Sequence, residues 1–477
     1  MTGVESGVEA HPSSFRDPGG FLFTRDGVLY RQVNEGCRAA YEHLMQSGLY
    51  ASLTASGALV AHEEASLDLA AAPGACRILR PTRIPFVSYP YEWAFSALQD
   101  AALLTLDVHR QALEHGMVLK DASAYNVQLL RGRPVFIDTL SFDFYREGEP
   151  WVAYRQFCQH FLAPLALMAH VDERLGRLLR EFIDGVPLDL ASRLLPARTR
   201  LQFGLLTHLH LHAKGQARHA DASAEVRAQR AASAKVSRTG MLGMIDSLAG
   251  AVRKLSWAPT GTEWGEYYSD TNYSDEAASR KQDLVGRLVA RIKPATVWDL
   301  GGNTGVFARC ALAAGAGFAL SFDVDAAAVE KAWLTERKQP HGVTPLLLDL
   351  TNPSPALGWA HQERQSLAAR GPADLVMALA LVHHLAISNN VPLPRVADYL
   401  AELGRHVLIE FVPKSDSQVR RLLAAREDVF PDYTEAGFRA AFARRFDLVE
   451  SAPIEGSERV LLLYSNKSAV GRGEQHG

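Results

Sequence analysis

The chain has 477 residues, of which 47% are hydrophobic and 22% are charged, values typical of globular proteins. A single hydrophobic core rarely grows beyond about 250–300 residues, so this length predicts two or three domains. The formal net charge of −3 creates no strong field for nucleic acid or an acidic membrane surface, and we expect neither as a partner.

Cysteine usage and the N-terminal residues indicate a cellular compartment. The chain contains four scattered cysteines, Cys37, Cys76, Cys158 and Cys310. With no Cys-x-x-Cys pair, they argue against a disulfide framework or a structural zinc site. Residues 1–12 contain no apolar signal core, and the longest apolar runs are too short to span a bilayer. We therefore expect a cytoplasmic protein.

Three stretches of the chain differ in composition. Residues 15–212 show hydrophobic periodicity with many aromatic side chains, which predicts an N-terminal domain. The next residues are mainly Ala, Arg, Ser, Gln and Lys, so we predict a linker over 213–250. Strands then alternate with helices, which predicts an α/β domain over 251–466. The polar tail, 467–477, is expected to be disordered.

The N-terminal half contains a group of residues typical of a cation site. Asp121 is followed five positions later by Asn126, then by an apolar strand, a turn, and a second apolar strand that ends on Asp138. Two carboxylates and one amide at the ends of a hairpin suit a hard cation. This pattern resembles the catalytic loop and metal-binding strand of protein kinases and aminoglycoside phosphotransferases. The resemblance implies an α+β kinase-like domain in which Asp121 orients a hydroxyl group while Asn126 and Asp138 bind the magnesium of Mg-ATP.

The same half departs from that family in three respects. Leu119-Lys120 stands before Asp121, where the family has His or Arg, and no G-x-G-x-x-G loop lies upstream. Arg31, with Glu42 on the next helix, takes the place of the family's lysine. An inactive kinase-like fold, an active phosphotransferase and a chance resemblance therefore all stay open.

Seven strands are predicted in the C-terminal half, with four helices among them. The strands lie at 296–300, 318–322, 343–348, 373–378, 406–411, 448–454 and 459–464, the last two as an antiparallel pair. The helices lie at 277–291, 326–337, 394–403 and 434–442, with a further helical pattern at 306–314. This alternation predicts a parallel sheet for the first five strands.

A glycine-rich turn and three acids lie at the ends of these strands. Asp299 precedes the turn that contains Gly301, Gly302, Asn303 and Gly305. Glycine has no Cβ, so a ligand can approach the backbone of the turn closely. Asp323 and Asp349 end the second and third strands. Because the carboxyl ends of parallel strands meet at one edge, we expect a ligand there.

The acid before the turn distinguishes between cofactors. A dinucleotide site requires G-x-G-x-x-G and a helix N-terminus directed at a pyrophosphate. This chain has G-G-x-x-G preceded by Asp299, a carboxylate that repels phosphate but suits an amino-acid ammonium group. Asp323 can accept both ribose hydroxyls, and Asp349 can accept from an adenine amino group. S-adenosylmethionine carries all three groups and no phosphate, which favours it over a nicotinamide cofactor.

Residues 296–464 resemble class I S-adenosylmethionine-dependent methyltransferases, which have a Rossmann-like sheet. Val-Trp-Asp-Leu-Gly-Gly-Asn-Thr-Gly matches their first-strand motif, except that Asn303 stands where the family often has Gly. The resemblance implies that Asp299 and the glycine turn hold the methionine moiety and that Asp323 holds the ribose. It assigns the adenine to Asp349 and Leu350.

Three candidate catalytic residues follow the fourth strand or lie within the fifth. Either His383 or His384 is a candidate general base, the alternative being that it packs against a helix start. The pair has no third ligand in the sequence pattern, so we predict no metal there. Glu410, inside an apolar strand, either lines the pocket or pairs with an arginine. The aromatic segment 264–273 either closes over the cofactor or packs on the sheet.

As a whole, the chain resembles two-part bacterial proteins with a kinase-like region before a methyltransferase, including nodulation-associated bacterial methyltransferases. The resemblance of residues 296–464 to methyltransferases, which does not depend on this one, implies an enzyme (EC 2.1.1.-) that transfers a methyl group to an oxygen or nitrogen of a small molecule or glycoconjugate. The alternatives are an ATP-dependent phosphotransferase in the N-terminal half and a non-catalytic sensor of S-adenosylmethionine.

Overall fold

The computed structural model describes residues 7–214, 235–259, 275–424 and 427–470. The chain divides into two compact units. Unit 1 comprises Met1–Ala258 and Leu357–Arg364, and unit 2 comprises Pro259–Ala356 and Gln365–Gly477. The predicted start of the second domain, residue 251, is therefore too early, and one short segment from the C-terminal half belongs to unit 1.

Unit 1 begins with a five-stranded antiparallel sheet in the order β1-β2-β3-β5-β4. Its strands are β1 (Val8–Ala10), β2 (Gly20–Arg25), β3 (Val28–Asn34), β4 (His62–Ala65) and β5 (Ala75–Pro81). A two-residue turn joins β2 to β3, with Asp26 and Gly27 both at positive φ. Such a turn matches the natural twist of two antiparallel strands, and Asp-Gly is a preferred sequence for it.

Two short hairpins and a set of helices complete unit 1. The hairpins pair β6 (Met117–Leu119) with β9 (Phe142–Phe144) and β7 (Val127–Leu130) with β8 (Arg133–Phe136). The α-helices are Arg38–Gln46, Leu49–Ala55, Phe95–Glu114, Tyr154–Phe157, Ala163–His170, Leu178–Glu181, Leu188–Leu194, Phe203–Leu205 and Arg238–Lys254, with π-helical turns at Cys158–Leu162 and Leu206–Leu211. An antiparallel sheet followed by helices is an α+β arrangement.

The predicted linker is wrong over its C-terminal part. Ser237 caps the helix Arg238–Lys254 by accepting a hydrogen bond from the backbone of Gly240. Buried residues of this helix recur every three or four positions: Met241, Ile245, Leu248 and Val252. That stripe packs on the helix Phe95–Glu114, from which Gln99 donates to the carbonyls of Val252 and Leu255. Residues 215–234 of the predicted linker lie outside the described residues.

Unit 2 is built around a seven-stranded sheet in the order β12-β11-β10-β13-β14-β16-β15. The strands are β10 (Thr296–Leu300), β11 (Phe318–Asp323), β12 (Val343–Leu347), β13 (Ala373–Ala378), β14 (Gly404–Phe411), β15 (Phe446–Pro453) and β16 (Val460–Asn466). The five strands from β10 to β14 are parallel, and β16 runs antiparallel to both β14 and β15. Every strand lies within about two residues of its predicted position.

The helices of unit 2 connect these strands. They are Asp275–Ile292, Val306–Ala313, Ala326–Lys338, Leu393–Leu403, Ser417–Leu423, Glu435–Ala443 and Lys467–Val470. The last helix replaces the start of the predicted disordered tail, and 471–477 lie outside the described residues. None of the helices in the described ranges has the length and apolarity needed to cross a membrane.

The strand order of unit 2 reverses at β10. The strand β10 pairs with β11 on one side and with β13 on the other, so the sheet grows in both directions from β10. In open α/β sheets, ligands bind beyond the carboxyl ends of the strands at such a reversal point. The Asp299 side chain and the glycine turn lie at this position.

Candidate functional site

Asp299 is buried at the carboxyl end of β10, with only 1% of its surface exposed. Its Oδ2 atom is buried and has no hydrogen-bond partner among the described residues. Burial is the main reason that the pKa of this carboxyl rises to about 7; Lys281 acts against the shift, and Asp323 adds to it. A buried carboxylate oxygen without a hydrogen-bond partner lowers the stability of the fold. A ligand that donates a hydrogen bond to this oxygen would therefore gain binding free energy.

Gly302 makes room for that carboxylate. A Cβ at this position would lie 2.4 Å from Ser321 Oγ and 2.8 Å from Asp299 Oδ2. Both distances are too short for real side chains, so only glycine fits between β10 and β11 at this point. Gly301 and Gly305 have φ of +71° and +80°, which favours glycine at both positions. Within the predicted turn, it is therefore Gly302 whose backbone approaches the Asp299 carboxylate closely.

Asp323, at the end of β11, lies beside the same turn. Its Oδ2 accepts from the backbone N–H of Asn303 at 2.8 Å, and its Oδ1 accepts from the N–H of Asp325 at 2.9 Å. Burial raises the pKa of Asp323 to about 6. Each carboxylate oxygen has a second lone pair, so Asp323 retains the capacity to accept from a ligand hydroxyl. Asn303 adopts a positive φ of +50°, a conformation that asparagine tolerates well.

Asp349 and Leu350 follow β12 at the same edge of the sheet. Both are half-buried, and the backbone N–H of Leu348 donates to the carbonyl of Asp323 at 2.8 Å. Asp349 Oδ1 accepts from the backbone N–H and the hydroxyl of Thr351. The structure thus brings the ends of β10, β11 and β12 together, as predicted from the strand ends.

His383 and His384 lie beyond the end of β13, with their ring centroids 4.1 Å apart. Leu381, two residues earlier, packs against Gly301, which brings this segment beside the glycine turn. Burial lowers the pKa of both histidines, that of His384 to about 4. His383 is almost fully buried, and its Nδ1 has no hydrogen-bond partner among the described residues. Both rings are therefore neutral at physiological pH.

Glu410 pairs with two cations in the interior of unit 2. Its Oε2 lies 2.6 Å from Lys281 Nζ, and its Oε1 lies 3.3 Å from Arg459 Nη1. Arg459 also contacts Asp416 at 2.8 Å, which completes an alternating chain of four charges. Of the two possibilities for Glu410, the structure shows the arginine partner. A carboxylate held by two cations is a poor proton acceptor, which argues against Glu410 as a general base.

Lys281 and Arg459 were not among the predicted site residues. Lys281 lies on the helix Asp275–Ile292, and its ammonium stands 4.7 Å from the ring centre of Phe307, in the first turn after the glycine-rich segment. Lys281 forms an ion pair with Glu410 and also acts to lower the pKa of Asp299. The sequence signal that could have identified Lys281 is its position: its spacing places this lysine on the apolar face of an amphipathic helix. The aromatic segment 264–273 lies outside the described residues.

A cavity of about 590 Å³ lies next to the histidine segment. Its walls come from residues 386 and 390–394, from residues 429–433 and from the helix Glu435–Ala443 with Arg444 after it. Most lining residues are apolar, and the polar ones include Asn390, Asp432 and Arg444. Such a concave, mainly apolar surface with a few polar groups is typical of a small-molecule site.

The kinase-like group of unit 1 is also brought together, but not in the predicted pairing. Asp121 accepts from the backbone N–H of Ser123 at 2.9 Å, and burial raises its pKa, with a smaller contribution from Asp138. Arg31 contacts Asp138 at 2.5 Å, whereas Glu42 contacts Arg77 at 3.0 Å. Arg31 therefore pairs with Asp138 and not with Glu42.

Metal-binding geometry is absent from the parts of the chain that the structure describes. No group of three or more His, Cys, Asp or Glu side chains there is arranged to hold a metal ion. The pair His383 and His384 accordingly has no third side chain of these types at metal-binding range within the described ranges.

Comparisons with known proteins identify one relative over nearly the whole chain. No family model matches the sequence. Nodulation protein NoeA of Rhizobium meliloti (strain 1021) is 36% identical over 456 residues, which covers 94% of this chain and 95% of that protein.

Similar solved structures match less than half of the chain. They include magnesium protoporphyrin IX methyltransferase from Synechocystis PCC 6803 with bound SAH, at 18% identity over 43% of this chain and 93% of that chain, with a TM-score of 0.31. N-methyltransferase NodS from Bradyrhizobium japonicum WM9 with S-adenosyl-L-homocysteine is 13% identical over 43% of this chain and 96% of that chain, with a TM-score of 0.31. The identity and coverage of the NoeA match place this chain in the family of the nodulation protein NoeA.

Proposed function

We propose that unit 2 binds S-adenosylmethionine and transfers its methyl group to an oxygen or nitrogen of a small molecule or glycoconjugate. The observation that carries the proposal is the buried Oδ2 of Asp299, which lacks a hydrogen-bond partner among the described residues and lies where the sheet order reverses. Asp323 and Asp349 stand at the ends of the two next strands. Three acids at one edge favour a ligand with donors and positive charge.

The charges around the site argue against a phosphate-bearing cofactor. The chain Lys281, Glu410, Arg459 and Asp416 contains two cations and two anions and is balanced in itself. Asp299 adds a carboxyl group that forms no ion pair within the described residues, although Lys281 and Arg309 both act to lower its pKa. A cation next to it would lower its pKa and favour the charged form, whereas a pyrophosphate would raise the pKa further. An α-ammonium group and a sulfonium satisfy this requirement, and a dinucleotide does not.

In the proposed reaction, the residues of this chain mainly bind and orient the reactants. S-adenosylmethionine supplies an already activated methyl group, so the protein has to align the acceptor and exclude water. A neutral imidazole at His383 or His384 can accept a hydrogen bond from an acceptor hydroxyl or amine and orient it. The depressed pKa values make both rings weak bases, which favours orientation over full proton abstraction.

The cavity beside the histidine segment supports an acceptor of limited size. Its volume of about 590 Å³ lies within the range of about 300–1,000 Å³ that small-molecule pockets occupy. Ala386, two residues beyond His384, is one of its lining residues, and we propose that an acceptor seated there has its reactive end toward the imidazoles. The apolar walls would hold the body of the acceptor, and Asn390, Asp432 or Arg444 would contact its polar groups.

Calorimetry on the full-length protein tests the cofactor. We expect S-adenosylhomocysteine to bind and NAD, which carries a pyrophosphate, not to bind. Asp323→Ala should weaken S-adenosylhomocysteine by about 1–3 kcal/mol, the usual consequence of leaving polar groups unpaired. Asp398→Ala is the matched control, because Asp398 is an acid of the same unit that pairs with Arg445 at the surface. Unchanged affinity in Asp323→Ala would remove Asp323 from the site, and NAD binding would contradict the charge argument.

Transfer itself is tested with labelled S-adenosylmethionine and a cell extract. We expect the label to appear in a small molecule or glycoconjugate, and the transfer to be lost in Asp299→Ala. Cofactor binding without any labelled product would instead support the sensor.

A further inference from the structure

Both oxygens of the Asp138 carboxylate in unit 1 have partners within the protein. Arg31 Nη1 lies 2.5 Å from Oδ1, which also accepts from the backbone N–H of Leu140 at 3.1 Å. Oδ2 accepts from the hydroxyl of Ser141 at 2.5 Å. Both oxygens of the residue that the sequence assigned to magnesium therefore have short, charged or polar partners.

The ion pair is held by the fold and is largely shielded from water. Arg31 lies on the central strand β3 of the five-stranded sheet, where it pairs in register with Leu79 on one side and Leu22 on the other. Asp138 follows β8 and begins a short helical turn. The Arg31 and Asp138 side chains are only 13% and 14% exposed. A pair of this kind is screened less by water and salt than a surface pair.

Asn126, the other residue assigned to magnesium, belongs to the same hydrogen-bond network. Asn126 donates from Nδ2 to the Ser141 hydroxyl at 3.1 Å, so the amide and the Asp138 carboxylate share one hydroxyl. Asp121 accepts from the backbone N–H of Ser123 at 2.9 Å. The predicted cluster of oxygen atoms is therefore present. The cation that contacts it is the guanidinium of Arg31.

These contacts do not fit a magnesium ion. Mg²⁺ requires nearly ideal octahedral geometry with ligands at about 2.0–2.1 Å and takes carboxylate oxygens as ligands. An ion on Asp138 would have to share the carboxylate with the guanidinium of Arg31, and two cations at that separation repel each other strongly in a poorly hydrated site. The tight Asp26-Gly27 turn between β2 and β3 also provides no extended glycine-rich segment to cover phosphates.

We infer that Arg31 supplies at Asp138 the positive charge that a divalent cation would otherwise supply, so that unit 1 holds this cluster together without a metal ion. The guanidinium joins the sheet, through β3, to the hairpin β7–β8 and the turn after it. The carboxylates and the amide of this cluster then serve as an electrostatic link within unit 1. This inference is independent of the cofactor proposed for unit 2.

Titration of the full-length protein with Mn²⁺, followed by the electron paramagnetic resonance signal of the free ion, tests the inference. We expect no saturable site that depends on Asp138 in the wild type, so that wild type and Asp138→Asn give the same titration. Arg31→Met removes the competing charge, and we expect one new site with millimolar or tighter affinity. The double variant Arg31→Met, Asp138→Asn should lose that site again.

Arg80→Met is the matched control, because Arg80 lies in the same sheet and pairs with Glu63 at the surface. We expect it to behave like the wild type, and circular dichroism checks that each variant is folded. A wild-type Mn²⁺ site that Asp138→Asn abolishes would overturn the inference. So would a folded Arg31→Met variant without a new site. If Arg31→Met fails to fold, the comparison of wild type with Asp138→Asn still decides the question.

Discussion

The buried charge chain of unit 2 yields a prediction about stability. Glu410→Gln removes the negative charge that lies between Lys281 and Arg459 and leaves the shape of the side chain almost unchanged. The Lys281 and Arg459 side chains are only 5% and 3% exposed, so neither can turn to water when the carboxylate is lost. We therefore expect this substitution to destabilise unit 2 strongly.

The magnitude follows from the surroundings of each cation. Breaking a buried ion pair by removing one partner costs about 3–5 kcal/mol. Arg459 keeps its contact with Asp416 at 2.8 Å, which favours the lower end, about 3 kcal/mol. Since 1.4 kcal/mol corresponds to a factor of ten, unit 2 should open roughly a hundredfold more often.

Hydrogen–deuterium exchange measured by mass spectrometry separates unit 2 from unit 1. Peptides from β14 report on the opening of unit 2, because this strand is buried and pairs with β13 and β16. Glu450→Gln is the matched control. Glu450 also contacts two arginines, Arg287 and Arg291, but those side chains are more than half exposed. Its loss should cost less than about 1 kcal/mol, or less than about fivefold in exchange.

One result would refute this reasoning. If Glu410→Gln exchanges within about fivefold of the wild type in β14, the buried charges are not energetically coupled in the way that their distances indicate. The double variant Lys281→Met, Glu410→Met tests independently whether an unpaired buried cation causes the loss of stability. It removes a cation together with the anion, so it should be more stable than Glu410→Gln.

Two further predictions concern the glycine turn and Asp299. Gly302→Ala places a Cβ 2.4 Å from Ser321 Oγ and should destabilise unit 2 by about 1–3 kcal/mol in denaturant unfolding. Gly243→Ala, in a helix with no atom near the added Cβ, should instead stabilise by about 0.5–1 kcal/mol, and equal effects would contradict the packing argument. The pKa of Asp299 rises from 3.8 to about 7 on folding, so the folded protein holds a proton that the unfolded chain has lost between these values. The unfolding free energy should therefore fall as pH rises through this window, and Asp299→Asn should flatten the profile; parallel profiles would refute this.

Local sequence was sufficient for the strands of unit 2 and for the acids at their ends. Each strand is a short apolar run bounded by a turn or an acid, and this pattern depends only on neighbouring residues. The positions of Asp299, Asp323 and Asp349 followed from those bounds, because parallel strands place their carboxyl ends at one edge. The glycine turn was visible for the same reason.

Pairings between distant residues required the tertiary structure. Lys281 and Arg459 meet at Glu410 although they are 129 and 49 positions away from it. Arg31 meets Asp138 rather than Glu42 because the register of β3 and the turn after β8 place those two groups together. The helix Arg238–Lys254 was not predicted, because the polar residues before it led us to assign the whole stretch to a linker. The partner of each charged side chain depends on how distant elements pack, and no local sequence pattern contains that information. The sequence by itself therefore determined the sheet edge at which the proposed site lies. The tertiary structure decided which charged side chains pair with one another around that site.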